Sequence, residues 1–278
     1  SGMVDFTVLG TNSTFRMDQK EFLESVDAKY DYRGTSLGNT YDLVFICSDL
    51  MVPKEIRYSK IIFIQEGMTD PLSWRSRFFK KMGVPVWMVG DTSLNGCSNA
   101  CDIYCVASAG YAGFFSSMGT DSRKIVVTGI PNFDDAVSFL KNDLEIRDYV
   151  LVCTSDLRET GRKDNRIAFL HGCKKIAEGR DIVFKLHPNE KKDRAESEIK
   201  TVFGESVKIF AKANTDHLIA NCDELITQYS SVVYIGMALG KKVHSYFSLK
   251  ELQERLPLQN GGTSAQMIAS IGKAFVYF

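Results

Sequence analysis

The stretch Ile226-Thr227-Gln228-Tyr229-Ser230-Ser231-Val232-Val233-Tyr234-Ile235-Gly236-Met237-Ala238-Leu239-Gly240-Lys241-Lys242-Val243 decides the architecture. It reads as the end of a short buried strand, two adjacent hydroxyls, an apolar helix, a glycine stop and a second strand. A strand, a helix and a further strand in so few residues form the unit of a parallel sheet, whose neighbours need a crossover. Ser230 and Ser231 fall where the helix should begin. Unpaired backbone N–H groups and the positive end of the helix dipole favour an anion there. The two hydroxyls are expected to cap the helix and to donate to a phosphate. Upstream, Lys185-Leu186-His187-Pro188-Asn189-Glu190 is a second signal. His187 ends a strand, and Pro188 breaks the ladder and holds the chain in an extended turn.

Outward from these two signals the same pattern repeats. In the second half, strands are expected at 149–154, 182–186, 207–210, 224–227 and 242–246. Helices are expected at 165–177, 195–203, 215–220 and 232–238, with 249–255 and 264–273 as terminal helices. The first half alternates likewise. Strands are expected at 6–9, 43–47, 61–65, 86–89, 103–107 and 125–128, and helices at 19–26, 71–82 and 109–118. A helix at 135–140 and a polar linker at 141–148 separate the two. The fold class is therefore α/β, with two Rossmann-like domains, 1–141 and 149–278, whose parallel sheets face a cleft. Ligands of open α/β sheets sit beyond the carboxyl ends of the strands. Gln65-Glu66-Gly67, Ser155–Arg158, His187-Pro188 and Ser230-Ser231 all fall at such ends.

Composition narrows the partners. The 278 residues are 44% hydrophobic and 24% charged, which marks a globular chain. Lys plus Arg and Asp plus Glu number 34 each, so net charge argues for neither nucleic acid nor a membrane surface as the main partner. No apolar run approaches the roughly 20 residues needed to span a bilayer. No secretory signal is visible, and Ser1-Gly2 before Met3 reads as an expression remnant. Seven cysteines, an odd number in mostly apolar contexts, fit reduced thiols and a cytoplasmic location. Cys97, Cys101 and Cys105 recur every fourth residue, but a strand through 103–107 turns side chains on a period of two and keeps the thiols apart. The G-x-G-x-x-G fingerprint and the P-loop are absent.

The segment from Lys185 through Val243 resembles the carboxyl-terminal domain of GT-B-fold nucleotide-sugar enzymes. Lys185-Leu186-His187-Pro188, Leu218-Ile219-Ala220-Asn221-Cys222-Asp223 and Ile226-Thr227-Gln228-Tyr229-Ser230-Ser231 carry the likeness. In the first half, Asp102–Ala107, Gly110–Phe115 and Lys124–Pro131 with Asp134 resemble the interdomain end of the same enzymes. The closest groups are CDP-glycerol glycerophosphotransferases, capsule-polymer transferases and UDP-N-acetylglucosamine 2-epimerases.

The resemblance implies a metal-independent glycosyl- or glycerophosphotransferase of surface polysaccharide or wall polymer. Its donor is a nucleotide-sugar or CDP-polyol, its acceptor a glycan or polyol polymer, and no further cofactor is needed. Peripheral membrane association is compatible with such an acceptor. An epimerase-like isomerase and a non-catalytic nucleotide-sugar-binding domain are the alternatives. Ser230, Ser231 and His187 are implied at the donor diphosphate. Ser155 and Arg158 lie after the first strand of the second half and Glu190 after the His-Pro turn, and all three are expected to help bind the donor. Aligned on Gly67, Glu66 stands opposite the transferase base, a role that needs burial to raise its pKa. Gln65 stands opposite an epimerase glutamate, which an amide cannot replace as a base. Each residue also has a plain structural reading: an N-cap for the serines, a loop contact for His187, a loop cap for Glu66. Resembled transferases often carry Asp where this chain has Gln228, which leaves the local charge open.

Overall fold

The structure is a computed structural model that describes residues 6–8, 20–28, 30–32, 40–69, 78, 82, 84, 86–89 and 92–277. In the first half β1 (Phe6–Val8) pairs with β2 (Tyr30–Tyr32). A separate sheet runs β3 (Leu43–Ile46), β4 (Lys60–Ile64), β5 (Ile103–Val106), β6 (Ile125–Val127) in that order. The second half holds β7 (Val150–Cys153), β8 (Ile182–Lys185), β9 (Lys208–Phe210), β10 (Glu224–Thr227) and β11 (Lys242–His244). They lie in the order β11-β10-β7-β8-β9. All these pairings are parallel. β7 and β10 are buried at every position, as a sheet covered on both faces requires.

Val86–Val89 corrects one expectation, because it is a helix and joins no sheet. Four apolar residues carry no period that separates a strand from a buried helical turn. The helix expected at 71–82 lies mostly outside the described residues; Phe78 is helical and its carbonyl accepts the Met82 N–H at 3.1 Å. The helix expected at 135–140 is a 3-10 turn, Ala136–Leu140. The polar stretch at 141–148 is tied down by buried Asn221. Its Nδ2 donates to Asn142 Oδ1 and to the carbonyls of Leu144 and Ile146, while Asn142 and Arg147 donate to its Oδ1.

After β11 the chain returns to the first sheet. The helix Ser264–Tyr277 lays Ile268 against Ile62 and Cys105. Its Phe275 carbonyl accepts Lys60 Nζ at 2.6 Å. Gly272 is required there, since a Cβ would stand 2.7 Å from the Phe45 ring. Gly110 is required where the helix Ala109–Ser117 meets the segment 249–255, because a Cβ would lie 1.8 Å from the Glu254 carbonyl oxygen. The two halves thus share one apolar core, in which Phe133 and Tyr111 both set their rings edge-on to Tyr234.

The cysteine spacing is explained by packing. Cys97 and Cys101 lie in the shared core, and Cys105 faces the helix Ser264–Tyr277 across the sheet. Burial pushes the Cys101 thiol up to about 12 and Cys105 to about 11. Among the described residues no helix is long and apolar enough to cross a membrane.

Candidate functional site

The carboxyl ends of β8, β7 and β10 lie side by side, so their loops form one continuous rim. β7 sits between the other two, and strands are about 4.8 Å apart, so the loops after β8 and β10 are roughly 10 Å apart at their roots. His187 stands at one side, Ser230 and Ser231 at the other, and Thr154-Ser155-Asp156 between them.

The β8 loop is held from below by a buried polar chain. Thr154 Oγ1 contacts Glu190 Oε2, and the His187 backbone N–H donates to Thr154 Oγ1 at 3.1 Å and to Glu190 Oε2 at 3.2 Å. Glu190 Oε1 accepts Arg166 Nη2 at 2.6 Å. Arg166 Nε donates to Asp164 Oδ2 at 3.0 Å, and Asp164 Oδ1 accepts Gln228 Nε2 at 2.9 Å. One network therefore fixes the loops after β7, β8 and β10 relative to one another. Buried charges persist only when paired in this way. Lys185, buried at the end of β8, donates to the Leu186 and Ala211 carbonyls, and burial lowers its pKa.

His187 itself is half-exposed. Its Nδ1 accepts the Asn189 backbone N–H at 3.2 Å and lies 3.7 Å from Asp156 Oδ2. An Nδ1 that accepts in the neutral ring places the proton on Nε2. In that form Nε2–H is left as a donor.

The serine doublet corrects the capping expectation. The helix runs Val233–Ala238, its N-cap is Val232, and no side chain caps it. Ser230 and Ser231 form the preceding turn, where their carbonyls accept the N–H groups of Val233 and Tyr234. Both side chains are half-exposed, and among the described residues the hydroxyls and the N–H groups of Ser231 and Val232 have no partner. Six helical residues add little dipole, so free hydroxyls and amides are the resource here.

The remaining expected residues divide. Ser155 Oγ is buried without a hydrogen-bond partner, as are Thr227 Oγ1, Gln228 Oε1 and Arg166 Nη1 at the same end of β7 and β10. Unpaired buried polar atoms are uncommon, and four together at a strand edge mark where a polar ligand or water is received. Glu190 serves as the anchor of the His187 loop, with its carboxylate enclosed and paired to Arg166. Arg158 is engaged by a carboxylate: Nη1 and Nη2 both donate to Glu198, each at 2.7 Å. Glu66 lies in the other half and is solvent-exposed, with its carbonyl accepting Asn132 Nδ2 at 3.1 Å. Gln65 is buried and structural: Oε1 accepts the Ala107 N–H at 2.9 Å and Nε2 donates to the Gly67 carbonyl at 2.8 Å.

Thr154, Asp164 and Arg166 are the residues sequence reasoning passed over, and Gln228, noted there only for its charge, joins them in the network. A signal existed for Arg166, since it opens a helix capped by Asn165, two residues after Asp164. Between the halves lies a small cleft lined by Met68, Thr69, Tyr234, Phe247, Glu251, Leu252 and Arg255.

No protein-family model and no curated protein matches the chain. Solved structures do. A provisionally assigned UDP-N-acetylglucosamine 2-epimerase from Listeria monocytogenes superposes with a TM-score of 0.63 at 12% identity, over 99% of this chain and 97% of that one. S. aureus MnaA in complex with UDP gives 0.61 at 15% identity, over 96% and 88%. The wall teichoic acid polymerase TagF, as its H444N variant, gives 0.56 at 12% identity, over 98% and 88%. The chain has the two-domain GT-B fold of these nucleotide-sugar enzymes.

Proposed function

We propose that this chain is a metal-independent transferase of surface polysaccharide or wall polymer, taking a nucleotide-diphosphate donor on the rim of its second half. The observation that carries the reading is the pairing of free groups across β7. On one side are the hydroxyls and open amides of Ser230-Ser231-Val232, and on the other an imidazole whose neutral form presents Nε2–H. Donors aimed at both ends of a diphosphate would bind it and take up leaving-group charge as its bond breaks. Ser155 Oγ, buried and unpaired between them, would supply a third donor. The fold supports the donor class: MnaA is solved with UDP, and a TagF variant was soaked with CDPG.

The first half would hold the acceptor, with Glu66 accepting its hydroxyl proton after the acceptor covers that carboxylate. Closing the cleft would limit donor hydrolysis. One observation favours a second reading, a nucleotide-sugar-binding domain without turnover: Glu66 is exposed in the free protein. The test is turnover of UDP- and CDP-linked donors with and without glycan or polyol acceptors, in the wild type and in Glu66→Gln. A transferase releases nucleoside diphosphate or monophosphate only with acceptor, and Glu66→Gln abolishes release while retaining nucleotide binding. Inversion of the donor sugar without acceptor would instead establish an isomerase, and binding without any turnover the idle domain.

A further inference from the structure

A cation strengthens the binding of a phosphorylated ligand, and among the described arginines most are already engaged. Arg158 is held by Glu198, Arg166 by Asp164 and Glu190, Arg180 by Glu224, and Arg194 by Glu159. Arg255 differs. Its guanidinium lies 4.4 Å over the Phe114 ring, a contact that fixes its position without neutralising it. Its nearest carboxylate, Glu251, is 3.8 Å away and largely exposed, and among the described residues the Arg255 side chain makes no hydrogen bond. Arg255 and Glu251 both line the cleft between the halves, together with Thr69, Phe247 and Tyr234. Tyr234 belongs to the helix that follows Ser230-Ser231 and so ties one wall of this cleft to that turn. On the other side the Arg255 carbonyl accepts Ser108 Oγ at 3.1 Å, which seats the segment 249–255 on the first half.

We propose that Arg255 is an anion receptor of the interdomain cleft that binds a phosphoryl group of the ligand, with Glu251 as its resting partner. The guanidinium is preoriented by Phe114, and its N–H fork is left for two phosphoryl oxygens. The inference rests on the reading that the cleft takes a phosphorylated ligand, and it adds the positive charge that Arg158 does not provide. The phosphoryl group belongs either to the donor diphosphate or to a phosphate on the acceptor.

The experiment is calorimetric titration of UDP, UMP and glycerol 3-phosphate into the wild type, Arg255→Gln and Glu251→Gln. Loss of a charge-assisted contact in Arg255→Gln should weaken the phosphorylated ligand about tenfold or more. Glu251→Gln, an exposed change that leaves the fold alone, should tighten the same ligand about two- to fivefold, because it frees the guanidinium. An effect on UDP beyond that on UMP assigns the donor, and an effect on glycerol 3-phosphate alone assigns the acceptor. If UDP binds the wild type and neither variant changes any affinity, Arg255 has no such role while the donor reading stands. If glycerol 3-phosphate binds through Arg255 and UDP does not bind at all, the receptor stands and the donor reading fails. Should Arg255→Gln not fold, the opposite-sign effect of Glu251→Gln decides.

Discussion

Tyr111 Oη and Tyr234 Oη lie 2.9 Å apart, one from each half of the molecule, both buried in the shared core. The contact joins the first turn of the helix Ala109–Ser117 to the helix that follows the serine doublet. Burial raises the pKa of both phenols, so both stay protonated and neutral at physiological pH. Removing one hydroxyl takes from the other its 2.9 Å partner across the halves. Tyr234→Phe should cost about 1–3 kcal/mol, read as a drop in melting temperature. The double variant with Tyr111→Phe should cost less than the sum of the two singles, with a coupling of about 0.5–3 kcal/mol. Additive losses would show that the hydroxyls do not act as a pair.

The pair of Arg166 Nη2 and Glu190 Oε1, 2.6 Å apart with both side chains enclosed, anchors the His187 loop. Glu190→Gln or Arg166→Met should destabilise by about 3–5 kcal/mol, as breaking a buried pair from one side does. Chemical denaturation measures the loss. A loss under 1 kcal/mol would mean that the network is not what holds the rim.

Glu224 gives a prediction in pH. Burial alone would raise its pKa, but hydrogen bonds from Lys242, His244 and Arg180 outweigh that and bring it to about 2. A carboxylate with a depressed folded pKa stabilises above its unfolded value near 4.3, and that stability is lost as pH falls toward 2. The shift corresponds to stability on the order of 3 kcal/mol. Wild-type melting temperature should therefore decline between about pH 4.5 and 2 more steeply than that of Glu224→Gln. Parallel declines would refute the assignment.

His187→Ala should weaken nucleotide-diphosphate binding about tenfold or more, the worth of a hydrogen bond to a charged group. Because Glu190 grips the His187 backbone and not its ring, melting temperature should stay within a degree or two of wild type. A change in stability without a change in affinity would make His187 a loop residue only.

Sequence showed the parallel architecture because local signals determine it. Runs such as Val150–Cys153 are apolar throughout, and the strand ends carry the polar loops. What stayed hidden depends on distant partners. Nothing near Arg158 reveals Glu198 forty residues on, so a clamped arginine reads like a free one. The helix Ser264–Tyr277 shows its apolar face in sequence but not that the face lies on Ile62 and Cys105 of the first sheet. Arg166 reads as one more surface charge until Asp164 and Glu190 are seen to enclose it. Val86–Val89 was too short for its period to show.

The central claim is that the rim from His187 to Ser231 receives a diphosphate, and a thermal-shift titration with UDP and CDP tests it most directly. Saturating ligand at 100 times its dissociation constant should stabilise the wild type by about 2.7 kcal/mol. The shift should shrink in Ser230→Ala/Ser231→Ala and in His187→Ala. No shift with any nucleoside diphosphate, or an undiminished shift in all of these variants, would contradict it.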